Sequence, residues 1–137
     1  MPRILGLDVG DRRIGVAISS PEGRLAVPLR IIERLKEPAD LEAIAALARA
    51  EEATGIVVGL PLSLDGTAGK QARHIEGFAR RLSKHTGLAI EFWDERLTSV
   101  QAERSTAGLR RGKAVDDVAA AIILQSYLDR QQPSVQL

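Results

Sequence analysis

Residues 3–19, RILGLDVGDRRIGVAIS, read as two strands joined by a tight turn. RILGLDV (3–9) has the length and apolarity of a buried strand, GDRR (10–13) supplies the turn, and IGVAIS (14–19) returns antiparallel to it. One residue is out of character. Asp8 stands inside ILGLDVG, and two-residue alternation puts Ile4, Gly6 and Asp8 on one face of the strand. A carboxylate in a strand that should be buried costs several kcal/mol unless it is paired or bound to a metal. Asp8 is therefore either a functional acid or one half of an ion pair with Arg12 or Arg13.

Outward from this hairpin, the turn Pro21-Glu22-Gly23 leads into a third strand over roughly 24–33, completing an antiparallel meander. Pro38 opens a helix in which Leu41, Ile44, Ala45, Leu47 and Ala48 recur at helical spacing. Gly55 is expected to end that helix, and GIVVGL (55–60) reads as a parallel-type strand. After the loop PLSLDGTAG (61–69), a helix over about 70–86 shows an apolar face of Ala72, Ile75, Phe78, Ala79 and Leu82. Gly87 stops it, and LAIEFW (88–93) gives a fifth strand. Thr98-Ser99-Val100-Gln101 is a capping-box pattern that predicts a short helix. The stretch 108–114 is expected to be mobile. A last helix over about 116–130, apolar nearly all round, should be buried against the sheet. The order βββ-α-β-α-β-α-α predicts one α/β domain over residues 1–137. It has a mixed five-stranded sheet, helices on both faces and a frayed tail at about 131–137.

Composition narrows the function. Lys and Arg total 19 against 18 Asp and Glu, a net charge of +1, which excludes a polybasic DNA-coating protein and an acidic disordered chain. The absence of cysteine excludes disulfide scaffolds, thiolate zinc sites and cysteine nucleophiles. Aromatic residues, at 3%, are too few for a base-stacking platform. The longest aliphatic run, VAAAIIL (118–124), is far below the ~20 residues of a membrane span, and MPRILGLD does not read as a signal peptide. A cytoplasmic protein with no membrane partner is expected. Charge is nonetheless uneven: segment 37–53 carries −4, while 68–86 and 96–114 each carry +4. Lys70, Arg73, Arg80 and Lys84 fall within roughly 80° of arc on the second helix. They form either a solvated face or a surface that tracks phosphates.

Two further acidic pairs stand out. Asp94-Glu95 ends the fifth strand, and alternation lets at most one of the two face a given site without saying which. Asp116-Asp117 opens the last helix, where carboxylates also serve as caps. Asp116 shares a helical face with Ala119, Ala120 and Ile123, small enough in part to let that face approach the sheet. Acids from the first strand, the fifth strand and this helix could converge, and oxygen donors alone suit Mg²⁺ or Mn²⁺, not zinc. His74 and His85 read as surface residues. Gly6, Gly10 and Gly15 form no dinucleotide fingerprint, Gly69-Lys70 is no phosphate-binding P-loop, and no Ser-His-Asp arrangement is visible.

LGLDVGDRRIGVAIS (5–19), VVGLPLSLDGTAG (57–69), FWDERLTSVQAER (92–104) and VDDVAAAIILQSYLD (115–129) resemble, in order, the signature blocks of the YqgF family. These are bacterial proteins of ribonuclease H-like, Holliday-junction-resolvase-type fold, described as nucleases of precursor 16S ribosomal RNA. The resemblance covers nearly the whole chain. It implies a metal-dependent phosphodiester hydrolase that processes the 5′ end of precursor 16S rRNA, with Asp8, Glu95 and Asp116 as catalytic acids and metal ligands. Resolvase relatives carry another acid three residues after Asp116; here that residue is Ala119. Asp11 and Ser63 stand where Thr or Ser, and Asn, are commoner. On this reading one or two divalent ions, Mg²⁺ or Mn²⁺, bind the three acids, and water attacks phosphorus in line with the departing 3′-oxygen. Arg96, Arg110, Arg111 and Lys113 are the expected backbone contacts near the site, with Lys70 and Arg73 as an outer track. Expected partners are an RNA precursor, the small-subunit precursor particle, or single-stranded or branched DNA, bound by a monomer or weak dimer. The alternatives are a branched-DNA resolvase and a catalytically silent RNA- or ribosome-binding factor. Actin-like ATPases share the opening Asp-x-Gly hairpin but place their nucleotide between two such domains.

Overall fold

The computed structural model describes residues 2–98 and 116–131. Five strands, β1 (Arg3–Val9), β2 (Arg13–Ser19), β3 (Ala26–Glu33), β4 (Ala53–Leu60) and β5 (Ala89–Asp94), form one sheet in the order β3-β2-β1-β4-β5. The first three strands pair antiparallel; β1 with β4 and β4 with β5 pair parallel. The expected mixed architecture is therefore present.

Alternation divides the sheet into two faces. Leu5, Leu7 and Val9 of β1, Ile14, Val16 and Ile18 of β2, and Ile56, Val58 and Leu60 of β4 point to one side. There they meet Leu41, Ile44 and Ala48 of α1 (Glu37–Ala50) and Ala72, Ile75, Phe78, Ala79 and Leu82 of α2 (Lys70–Thr86). The other face carries Ile4 and Gly6 of β1, Ala17 of β2 and Val57 and Gly59 of β4, and is covered by α3 (Asp116–Gln131). A Cβ on Gly6 would lie 2.7 Å from Leu124 Cβ, so only glycine lets the helix come this close. Farther along, the buried Gln125 fixes α3 to the start of β3: Oε1 accepts the Ala26 N–H at 2.9 Å, and Nε2 donates to the Arg24 carbonyl at 2.9 Å.

The chain departs from expectation after α1. Gly55 does not stop that helix; it lies inside β4, paired with Ala89. The helix ends at Ala50, and Glu52 makes the turn with φ of 55°, so β4 begins two residues earlier than expected, at Ala53. Gly87 does end α2, in the left-handed conformation at φ 75°. A 3₁₀ turn over Glu95–Leu97, which helical and strand periodicity do not signal, follows β5. The expected helix from Thr98, the basic stretch 108–114 and the tail beyond Gln131 lie outside the described residues. Among those described, no helix is long and apolar enough to cross a membrane.

Candidate active site at the carboxyl edge of the sheet

Asp8 emerges near the end of β1, opposite Gly15 of β2. On its other side the last paired residues are Leu7 and Val58, so Asp8 and Gly59 follow side by side on adjacent strands, about 4.8 Å apart. Gly59 leaves a space. A Cβ there would lie 3.0 Å from Glu95 Oε2, 3.3 Å from Glu95 Cγ and 2.6 Å from Ile123 Cδ1. The Glu95 side chain thus folds back from the 3₁₀ turn over Gly59, toward Asp8. This separates the two members of the Asp94-Glu95 pair, which alternation leaves open.

Asp94 has another role. It caps the 3₁₀ turn, accepting the Arg96 N–H at 2.9 Å, and grips the Arg96 guanidinium through Nε at 3.0 Å and Nη2 at 2.7 Å. Those side-chain hydrogen bonds hold the Asp94 carboxyl below its ordinary range. Glu95 is shifted the opposite way. Burial first, then the negative charges of Asp8 and Asp94, raise its carboxyl above the ordinary value near 4.5.

Arg96, expected to hold nucleic acid, is engaged within the protein. Besides Asp94 it reaches the loop 61–69, Nη1 donating to the Leu64 carbonyl at 2.9 Å. Within that loop Asp65 accepts from Thr67, and the Ser63 N–H donates to the Thr67 carbonyl at 3.0 Å. Arg96 thus clamps the 3₁₀ turn to the neighbouring loop, while two of its five N–H donors stay outside these bonds. The turn is also tied to α3: the Trp93 indole N–H donates to Ser126 Oγ at 3.1 Å, and Ser126 Oγ donates to the Leu97 carbonyl at 3.0 Å. Trp93 meets Tyr127 edge-on at 5.6 Å.

Asp8 and Glu95 are therefore brought together. Asp116 opens α3 on the same face of the sheet, but its side chain lies outside the described residues. Its neighbour Asp117 has a buried Oδ1 with no hydrogen-bond partner among the described residues. No set of three or more carboxylates or imidazoles is gathered among the described residues. Lys70 and Arg73 lie exposed at the start of α2, after the loop that Arg96 clamps. Arg110, Arg111 and Lys113 are outside the described residues. Both histidines are exposed, and His85 Nε2 lies 2.9 Å from Glu42 Oε1. Sequence reading missed the Arg96 clamp: its partner Leu64 is 32 residues away and presents only a backbone carbonyl.

A mixed five-stranded sheet in the order β3-β2-β1-β4-β5, with helices on both faces, is the architecture of ribonuclease H-like resolvases. RuvC from Thermus thermophilus in complex with a Holliday junction superposes with a TM-score of 0.63, covering 96% of each chain at 10% identity. The sequence pattern of the RuvX family, described as Holliday junction resolvase, matches residues 2–130, and the chain belongs to this RuvX/YqgF family. A relative from Ruegeria pomeroyi is 46% identical over 132 residues, 93% of this chain and 86% of the relative. One from Moorella thermoacetica is 46% identical over 133 residues, 93% of this chain and 95% of the relative. Both carry the provisional name pre-16S rRNA nuclease.

Proposed function

We propose that this chain is a divalent-metal-dependent nuclease that hydrolyses phosphodiester bonds in RNA and processes the 5′ end of precursor 16S rRNA. The observation that carries the reading is the folding of Glu95 over Gly59 toward Asp8, two carboxylates held together in partial burial. Like charges so placed repel unless a proton or a cation intervenes. The donors fit a hard cation such as Mg²⁺ or Mn²⁺. The chain has no cysteine, both histidines stand on α2, which covers the opposite face of the sheet, and Asp117 leaves a buried carboxylate oxygen without a described partner.

Asp8, Glu95 and Asp116 are the proposed ligands and catalytic acids. The course of α3 supports the third: Ala120 lies over Gly6, and four residues back along the helix (about 6 Å) matches two residues on along the strand (about 7 Å), the level of Asp8. A bound cation supplies charge neutralisation at the phosphoryl oxygens and orients the attacking water. The protein's own contribution is to fix the acids on rigid elements and to keep Glu95 in place through the Asp94–Arg96–Leu64 clamp. Lys70, Arg73, Arg96, Arg110, Arg111 and Lys113 are the proposed phosphate contacts. The proposed setting is the cytoplasm, with the small-subunit precursor as partner and the protein a monomer or weak dimer.

The relatives' names favour ribosomal RNA, while the family description and the junction-bound neighbour favour branched DNA as a second substrate. Cleavage of single-stranded RNA, precursor ribosomal RNA and a four-way DNA junction, each with and without EDTA, tests the reading. RNA cleavage that EDTA stops is expected, and Asp8→Asn lowers it by at least ~10²–10³-fold with the fold retained. Preferred junction cleavage selects the second substrate. Tight RNA binding without cleavage by the unaltered protein supports the silent binding factor.

A further inference from the structure

The turn that follows Asp8 is held from beneath by a largely buried ion pair that the acidic site does not include. Arg34, just beyond β3, has a side chain only 14% exposed, and its partner Asp40 on α1 is 2% exposed. Arg34 Nε donates to Asp40 Oδ2 at 3.2 Å, and Nη1 donates to the carbonyl oxygen of Gly10 at 3.0 Å. The guanidinium lies 5.0 Å from the centre of the Phe78 ring on α2. The backbone N–H of the same residue donates to the Arg12 carbonyl at 2.8 Å. Asp40 Oδ1 completes the arrangement by accepting the Leu35 N–H at 2.9 Å.

One residue thus grips the Gly10–Arg13 turn at two carbonyls, and Gly10 lies two residues past Asp8. The turn has little slack of its own: the Gly10 N–H donates to the Arg13 carbonyl at 2.9 Å, and a Cβ on Gly10 would lie 2.9 Å from that same oxygen. The geometry points to Arg34 as a positioning residue for Asp8, acting through the Gly10 carbonyl and itself held by Asp40. This inference rests on Asp8 being a cation ligand.

A stability role alone does not require this arrangement. Burying a guanidinium and a carboxylate carries a large desolvation cost, and apolar side chains of similar volume often serve stability equally well. What an apolar pair cannot supply is a directed bond to the turn. The planar fork of arginine donates to Asp40 and to Gly10 at once, whereas a lysine ammonium is a single point on a flexible stem. Arg34→Lys therefore keeps the charge opposite Asp40 and loosens the grip on Gly10.

The test is a titration of the full chain with Mn²⁺, followed by electron paramagnetic resonance without nucleic acid, beside thermal melting of the same samples. Arg34→Lys is expected to remain folded and to bind Mn²⁺ about 10-fold more weakly, the loss typical when support behind a metal ligand is removed. Unchanged Mn²⁺ affinity in folded Arg34→Lys, whatever its melting temperature, overturns the proposal. Asp40→Asn preserves shape and tests the same idea if Arg34→Lys does not fold. A weakening of Mn²⁺ binding in the same direction supports positioning, and unchanged affinity overturns it. The unaltered protein and Asp8→Asn run alongside. If the unaltered protein binds no Mn²⁺, or Asp8→Asn binds as well as it does, the metal reading itself falls, which is a different result from Arg34→Lys alone matching the unaltered protein.

Discussion

The two faces of the sheet are built from different material. Toward α1 and α2 the strands offer Leu5, Leu7, Ile14, Val16, Ile18, Ile56 and Val58, and the helices answer with Ile44, Phe78 and Leu82. Toward α3 they offer Gly6, Ala17, Ala26, Val57 and Gly59, met by Ala120, Ala121 and Leu124. The first is a thick aliphatic layer whose stabilisation grows with the apolar area it buries. The second is thin, and its small residues bring backbone close to backbone. That closeness leaves room for Glu95 over Gly59 and lays the first turn of α3 along the face that carries Asp8. Stability and site assembly are thus assigned largely to opposite sides of one sheet.

A truncation on the thick side tests that division most forcefully. Leu82 is fully buried, and Leu82→Ala should cost about 2–5 kcal/mol of unfolding free energy, read as a lower denaturant midpoint. Cleavage per folded molecule should stay at the level of the unaltered protein, because Leu82 packs in the core on the face of the sheet opposite Gly6, Gly59 and Asp8. A proportionate loss of activity at full folding would show that the two faces are not separable in this way.

Adding one carbon on the thin side gives a smaller effect on stability and a sharper one on the site. In Gly6→Ala the new methyl meets Leu124 Cβ at 2.7 Å, an atom fixed to the helix backbone, so α3 must lift. Overpacking of this kind costs about 1–3 kcal/mol. In Gly59→Ala the nearest atom, Ile123 Cδ1, ends a flexible side chain and can rotate away, but Glu95 must shift as well. Gly59→Ala should therefore melt closer to the unaltered protein than Gly6→Ala does, yet lose cleavage by about 10-fold, because Glu95 is displaced by a few tenths of an ångström from the position it holds beside Asp8. Melting curves and initial rates on one preparation of each variant check both statements.

How much of this was legible in the sequence follows the range of the interactions. The hairpin 3–19, the apolar face of α2, the stop at Gly87 and the face shared by Ile4, Gly6 and Asp8 are consequences of local spacing, and each is found as read. Gly55 suggests a helix end because glycine commonly provides one, whereas the tertiary pairing with Ala89 draws it into β4 and Glu52 takes the positive φ. Alternation leaves Asp94 and Glu95 undecided; family resemblance favours Glu95, and the open space above Gly59 is where its side chain folds. The bonds of Arg34 to Gly10 and of Arg96 to Leu64 span 24 and 32 residues and end on backbone carbonyls, which carry no side-chain signature.

The smallest effect concerns pH. Burial and the charge of Asp8 give Glu95 a higher proton affinity in the folded protein than in the unfolded chain, where its value is near 4.5. Between that value and the raised folded one, the folded state binds more protons than the unfolded state, so unfolding free energy declines as pH rises. The penalty is absent below the unfolded value, grows across this window and is complete once pH passes the folded value. Glu95→Gln carries no titrating group and should flatten that stretch of the stability curve in metal-free protein. Urea midpoints measured in EDTA at half-unit steps from pH 4 upward read the difference. Curves that run parallel for Glu95→Gln and the unaltered protein would mean that neither burial nor the charges of Asp8 and Asp94 raise Glu95 in the folded protein. Added Mn²⁺ should reverse the trend in the unaltered protein, because a cation held by the carboxylates favours their ionised forms, and should do so more weakly in Glu95→Gln.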